Sequence, residues 1–140
     1  MKNKDKGELV EQIVITEFMK LGIPVSKPIG DNQPYDIIID LNGKLLKIQV
    51  RTCWRGENMN SLKIPFMNSR MNAKIAYKTT SKDKIDYYVA YSFDTGKCYL
   101  INVTETDNTN CIYLQLNEKC KNGGKLNYAK NFELNINRLK

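Results

Sequence analysis

The stretch Tyr35-Asp36-Ile37-Ile38-Ile39-Asp40-Leu41-Asn42-Gly43-Lys44-Leu45-Leu46-Lys47-Ile48-Gln49-Val50-Arg51-Thr52 decides the fold. Residues 35–41 are short and β-branched, which reads as a strand. Asn42-Gly43 is a strong two-residue hairpin signal, because both central positions of a type I′ turn need positive φ. Residues 44–52 then form the return strand. A two-residue turn pairs Leu41 with Lys44, Ile37 with Ile48 and Asp36 with Gln49. Side chains alternate across a strand. Asp36, Gln49 and Arg51 therefore share one face, while Ile37, Ile39, Leu46, Ile48 and Val50 share the other. The second face is continuously apolar and must cover a core.

Upstream, residues 7–21 read as an amphipathic helix: Leu9, Val10, Ile13, Val14, Phe18 and Leu21 recur at three- and four-residue steps, and Gly22 is the expected stop. Glu8, Glu11 and Glu17 fall on or beside its polar face. Pro24 and Pro28 bracket an extended piece over 23–29, and Gly30-Asp31-Asn32-Gln33-Pro34 is a turn signal. Downstream, residues 62–66, 85–93, 98–103 and 111–116 read as strands, with a turn at Asp94–Lys97. Residues 81–84 resemble a short helical turn and 128–134 a short terminal helix. With no internal repeat and no linker, residues 1–140 are expected to form one α+β domain on a mixed or antiparallel sheet.

The chain has 140 residues, 22 Lys+Arg, 15 Asp+Glu and a formal net charge of +7. The excess is spread over both halves of the chain rather than gathered in a tail. A surface of this kind suits a polyanion, nucleic acid being the commonest, although a Lys-rich proteome would produce the same balance. There is no His. That excludes a Ser-His-Asp triad, a Cys-His pair and any His-ligated metal. Cys53, Cys98, Cys111 and Cys120 lack the paired spacing of a zinc site and read as buried or incidental. The charged N-terminus has no apolar signal segment, and no apolar run reaches membrane-spanning length, so a cytoplasmic location without a membrane partner is expected.

Chemistry must then come from carboxylates and cations. Asp36 offers a hard oxygen of the kind Mg²⁺ prefers. Gln49 offers an amide oxygen opposite it, the backbone carbonyl of Val50 lies between, and Arg51 adds fixed positive charge. Glu11 of the helix could bring a second carboxylate. A divalent ion held there would polarise a phosphodiester and acidify a bound water without any His. An ordinary polar cross-strand pair, with Arg51 as a solvated partner of Asp36, fits the same spacing.

Gly7-Glu8 and Glu11, then Gly30-Asp31-Asn32-Gln33-Pro34-Tyr35-Asp36, then Gln49-Val50-Arg51-Thr52, resemble the PD-(D/E)XK nuclease superfamily. The likeness is to the small branch that includes a cyanobacterial group I intron homing endonuclease, and it runs over about residues 7–134. It implies a restriction-endonuclease-like α/β/α core with a mixed central sheet and flanking helices. It also implies a DNA endonuclease using Mg²⁺, with Mn²⁺ as a substitute, on double-stranded DNA at a specific site. Carried over, Asp36 and Glu11 hold the metal together with the Val50 carbonyl. Gln49 stands at the second acidic position, and Arg51 stands where the family has lysine. A Lys amine can change protonation state, whereas Arg stays charged and bulkier. Two other readings stay open: a Holliday-junction-resolvase-like, structure-selective nuclease and, because of that departure, a catalytically silent DNA-binding module. Trp54, Arg55, Ser69, Arg70, Lys119, Lys121 and Lys125 are the candidate DNA contacts, each also readable as ordinary packing or solvated surface. Association into a homodimer or homotetramer is expected, because one small module offers little surface for reading a long target.

Overall fold

The computed structural model describes residues 1–30, 32–56, 60–66, 84–106, 110–117 and 127–139. Its helix, α1, spans Asn3–Lys20, and the strands are β1 (Val25–Ser26), β2 (Ile37–Leu41), β3 (Lys44–Arg55), β4 (Ser61–Pro65), β5 (Tyr87–Ser92), β6 (Lys97–Asn102) and β7 (Cys111–Gln115).

α1 begins four residues before the expected start. Its first turn carries Asp5, which suits the positive end of the helix dipole. Val10, Val14 and Phe18 are fully buried at four-residue steps, and each apolar side chain of this size stabilises the fold by about 1.5–3 kcal/mol. Leu9, expected in the stripe, is exposed. The stop is as expected: Gly22 has φ +76, its N–H donates to the Met19 carbonyl, and the Ile23 N–H donates to the Phe18 carbonyl. This is a Schellman ending, with buried Ile23 facing the last turn.

The hairpin forms in the expected register, Leu41 opposite Lys44 through Ile37 opposite Ile48. Asn42 (φ 54) and Gly43 (φ 93) both take positive φ, and the Gly43 N–H donates to Asp40 Oδ1 at 2.7 Å. The ladder ends one step short of the expected Asp36–Gln49 pair, because the Asp36 N–H turns to the Ile48 carbonyl.

The architecture is mixed. β1, β2 and β3 pair antiparallel, β3 pairs parallel with β5, and β5 pairs antiparallel with β6. β3 is longer than expected. Trp54 and Arg55, past the expected strand end at Thr52, continue the strand and pair with β4, which pairs in turn with β7. β3 thus belongs to two sheet segments and separates two cores. Ile37, Ile39, Leu46, Ile48, Val89 and Leu100 pack under α1. On the other side Cys53, Leu62, Ile64, Tyr88, Tyr99, Ile101 and Leu114 pack with Phe132 and Ala129. Among the described residues α1 is the flanking helix, and β4 and β7 cover the opposite face.

Residues 128–134 do not form the expected terminal helix. Only Ala129–Asn131 make a 3-10 turn. Beyond it the Leu100 N–H donates to the Phe132 carbonyl, and the Leu134 N–H donates to the Cys98 carbonyl. The chain there satisfies the outer edge of β6, which withdraws its backbone groups from helical pairing. Tyr87 and Tyr88 are buried, as are Cys53 and Cys98, while Cys111 is half-buried. No helix among the described residues is long and apolar enough to cross a membrane.

Candidate active site

Where β3 passes under the first turns of α1, the helix and strand leave an open cleft of about 280 Å³ lined by Asn3, Lys4, Gly7, Glu8, Val10, Glu11, Asp36, Val50, Arg51 and Thr52. The local sequence explains its shape. Val10 is the first residue of α1 that reaches the core. The turns before it overhang the sheet and present polar side chains. Lys4, Glu8 and Glu11 recur at the four- and three-residue steps that align side chains on one helix face.

Asp36 sits at the entry to β2. Its Oδ2 accepts the Val50 N–H at 2.7 Å, so the strand opposite fixes the carboxylate. Asp86 does a parallel job at the entry to β5, where its Oδ2 accepts the Lys47 N–H at 2.8 Å, but it does not line the cleft. Burial raises the Asp36 pKa and the Glu11 charge adds to this, against the Val50 N–H, Arg51 and Lys27, which lower it. Asp36 is therefore a carboxylate whose ionised form lacks full compensation.

Glu11 is half-buried and pairs with Lys27 Nζ at 2.6 Å. That contact raises the Lys27 pKa. Glu8 is exposed on the same helix face. The helix thus presents both glutamates to the cleft, with Glu11 the deeper. Val50 contributes its N–H to holding Asp36.

Arg51 lines the cleft, and its Nη2 donates a long 3.4 Å bond to the Phe66 carbonyl. Burial lowers its pKa, opposed by Tyr88 and Asp36. Its Nε is buried without a hydrogen-bond partner among the described residues, and so is Gln49 Oε1. Gln49 lies beside Tyr88 in the parallel ladder and is not among the residues lining the cleft. Unpaired buried polar atoms cost free energy, and such a pair at one site calls for an explanation in function.

The structure therefore brings Glu11, Asp36, Val50 and Arg51 together, with Gln49 adjacent. It places Trp54 and Arg55 just past the cleft-lining Thr52, at the C-terminal end of β3, both exposed, with Arg55 Nε 3.7 Å from Asp94 Oδ1. Ser69, Arg70, Lys119, Lys121 and Lys125 lie outside the described residues. Two cations were missed. Lys4 shares a helix stripe with Glu8 and Glu11 and would have been found had the helix been started at Asn3. Lys27 meets Glu11 only through the fold, and no local signal marks it.

Residues 1–135 match the family model described as PD-(D/E)XK endonuclease. The chain belongs to the PD-(D/E)XK endonuclease family. No curated protein matches it. Among solved structures, the bacterial homing endonuclease I-Ssp6803I is similar to this PD-(D/E)XK chain at 26% identity and a TM-score of 0.71, over 94% of this chain and 86% of that one. The Holliday junction resolvase Hjc of Archaeoglobus fulgidus shares the fold at 16% identity and a TM-score of 0.51, over 79% and 84% of the two chains.

PD-(D/E)XK nucleases generally use divalent metal ions, and the residues here fit one. Asp36 and Glu11 supply hard oxygens to an open cleft, the charge on Asp36 is under-compensated, and Gln49 keeps an unpaired amide oxygen nearby. Among the described residues there is no group of three or more His, Cys, Asp or Glu side chains that would cage a metal outright. Two carboxylates with the remaining positions left to water, backbone and substrate suit Mg²⁺, which dehydrates reluctantly.

Proposed function

We propose that the protein is a metal-dependent endonuclease that hydrolyses phosphodiester bonds in double-stranded DNA at a specific site. The observation that carries this reading is the cleft itself. In a chain of this family, the fold gathers Glu11, Asp36 and Arg51 at one solvent-open point. Mg²⁺, or Mn²⁺ in its place, would be held by Asp36 and Glu11, where it would polarise the phosphate and acidify a water. The chain's own groups supply the rest. The Val50 N–H fixes Asp36. Arg51, charged at any working pH, faces the charge that builds on the phosphate. Lys4 and Asn3 at the cleft mouth suit the flanking phosphates. We further propose that the enzyme works as a homodimer or homotetramer, since one small domain buries too little surface to read a long target.

One observation favours a second reading. Arg51 is held by the Phe66 carbonyl, has an unpaired Nε and replaces an amine that could shed a proton. A silent DNA-binding module would keep all other features of the cleft. The deciding experiment incubates wild-type and Arg51→Lys protein with supercoiled plasmid and with a four-way junction, in Mg²⁺, in Mn²⁺ and in EDTA. Metal-dependent nicking of plasmid by wild type supports the endonuclease. Nicking by Arg51→Lys alone supports the silent module, and a strong preference for the junction supports a resolvase-like enzyme.

A further inference from the structure

On the solvent side of the β3–β4–β7 segment, three residues stand in one cross-strand row. Trp54 is paired with Lys63, and Lys63 with Tyr113. Neighbouring strands are about 4.8 Å apart, so the two aromatic positions stand about 10 Å apart with the lysine between them. Trp54 is 49% exposed and Tyr113 45% exposed. The side chains on the other face of the same strands, Leu62, Ile64 and Leu114, are fully buried, so the exposure belongs to this face and not to loose packing.

The row is also built. A Cβ added to Gly56 would lie 2.8 Å from Ser61 Oγ and 3.5 Å from Tyr113 Cε1. The Tyr113 ring therefore leans over β4 towards the end of β3, where it comes within ordinary van der Waals reach of the Gly56 position. Gly56 directly follows β3, two positions past Trp54, so the lean brings the tyrosine towards the strand that carries the tryptophan. Thr52, which lines the cleft, precedes Trp54 on that same face. The aromatic row is thus continuous with the candidate active site.

Two exposed rings flanking an ammonium on a sheet surface match the needs of unpaired bases. Rings offer stacking faces to any base, and the lysine answers the phosphate between them. A closed duplex offers no base faces to such a surface. We infer that Trp54, Lys63 and Tyr113 form a stacking platform for unpaired nucleotides of the DNA substrate beside the cleavage site, an inference that rests on the DNA-nuclease reading above.

The chain contains a single tryptophan, Trp54, so intrinsic tryptophan fluorescence reports this surface directly. The full chain in EDTA, which prevents cleavage, is titrated with a dye-labelled single-stranded oligothymidylate and with a duplex of equal length. Binding is followed by anisotropy and stacking by Trp54 emission. The platform requires that the single strand quench Trp54 much more than the duplex does. Tyr113→Ala weakens single-strand binding about fivefold or more, and Lys63→Ala lowers the salt slope by about 0.7. Circular dichroism checks that both variants remain folded, and the wild-type quenching needs no variant at all. Single-strand binding without quenching, or equal quenching by the duplex, overturns the platform and leaves the nuclease reading intact. Absence of binding to either DNA overturns the nuclease reading and the platform with it.

Discussion

Gln49→Met is expected to stabilise the metal-free protein. Gln49 Oε1 is buried and has no hydrogen-bond partner among the described residues. Leaving a buried acceptor unpaired costs about 1–3 kcal/mol. Methionine keeps the length and flexibility of the glutamine side chain and removes the oxygen. It also removes the amide N–H₂, whose own bonding is worth about 1 kcal/mol. The net expectation is a gain of about 1 kcal/mol, or about 3 °C in Tm for a domain of this size. Urea unfolding in EDTA measures it as a higher midpoint with an unchanged m-value. Gln49→Glu supplies the contrast. A second charge beside Asp36 lowers stability in EDTA, and saturating Mn²⁺ restores it. Binding confined to the folded state adds about 2.7 kcal/mol at a concentration about 100 times Kd. If Gln49→Met instead loses about 1 kcal/mol or more in EDTA, the oxygen is satisfied in the apoprotein and the reasoning fails.

Two further outcomes follow from the same geometry. Burial pushes Cys53 and Cys98 each up to about 12. Their folded-state pKa values lie above the unfolded one, so the stability they contribute is intact below about pH 9 and is lost as the pH climbs towards 12. The slope is about 1.4 kcal/mol per pH unit for each thiol. Urea midpoints measured from about pH 8 to about pH 10.5 should fall more steeply in wild type than in Cys53→Ala. Lys27→Met breaks a partly exposed ion pair with Glu11 and should cost under about 1 kcal/mol in thermal unfolding. Removing the ammonium that competes for Glu11 should at the same time tighten Mn²⁺ binding in isothermal titration; weaker binding would mean that Lys27 positions Glu11 for the ion.

The central hairpin was legible in the sequence because its determinants are local. Asn42-Gly43 dictates the turn, the turn dictates the register, and the register puts Asp36 and Arg51 at one end of the sheet. The Gly22 stop and the Val10, Val14 and Phe18 stripe are local in the same sense. What the sequence hid depends on long-range pairing. Trp54 and Arg55 open onto a polar, Asn-rich run at 56–60 that hides the strand, yet pairing with Lys63 and Leu62 keeps them in it. Residues 132–134 carry no mark of their role on β6, since that role is played by backbone groups. Lys27 reaches Glu11 only because β1 lies against the hairpin. Asp36 and Gln49 were expected to face each other. The Asp36 N–H bonds to the Ile48 carbonyl instead, which ends the ladder before that pair forms.

Everything proposed for the cleft depends on Asp36 anchoring a divalent ion for phosphodiester hydrolysis. Asp36→Asn tests this with the least disturbance, because asparagine retains an oxygen for the Val50 N–H. The measurement is the initial rate of supercoiled-plasmid nicking against Mn²⁺ concentration for wild type and Asp36→Asn, alongside Mn²⁺ titration of each protein. The expected result is metal-dependent nicking by wild type, no nicking above background by Asp36→Asn, and loss of Mn²⁺ binding in a variant that remains folded. Nicking by Asp36→Asn at the wild-type rate, or wild-type nicking that persists in EDTA, would contradict it.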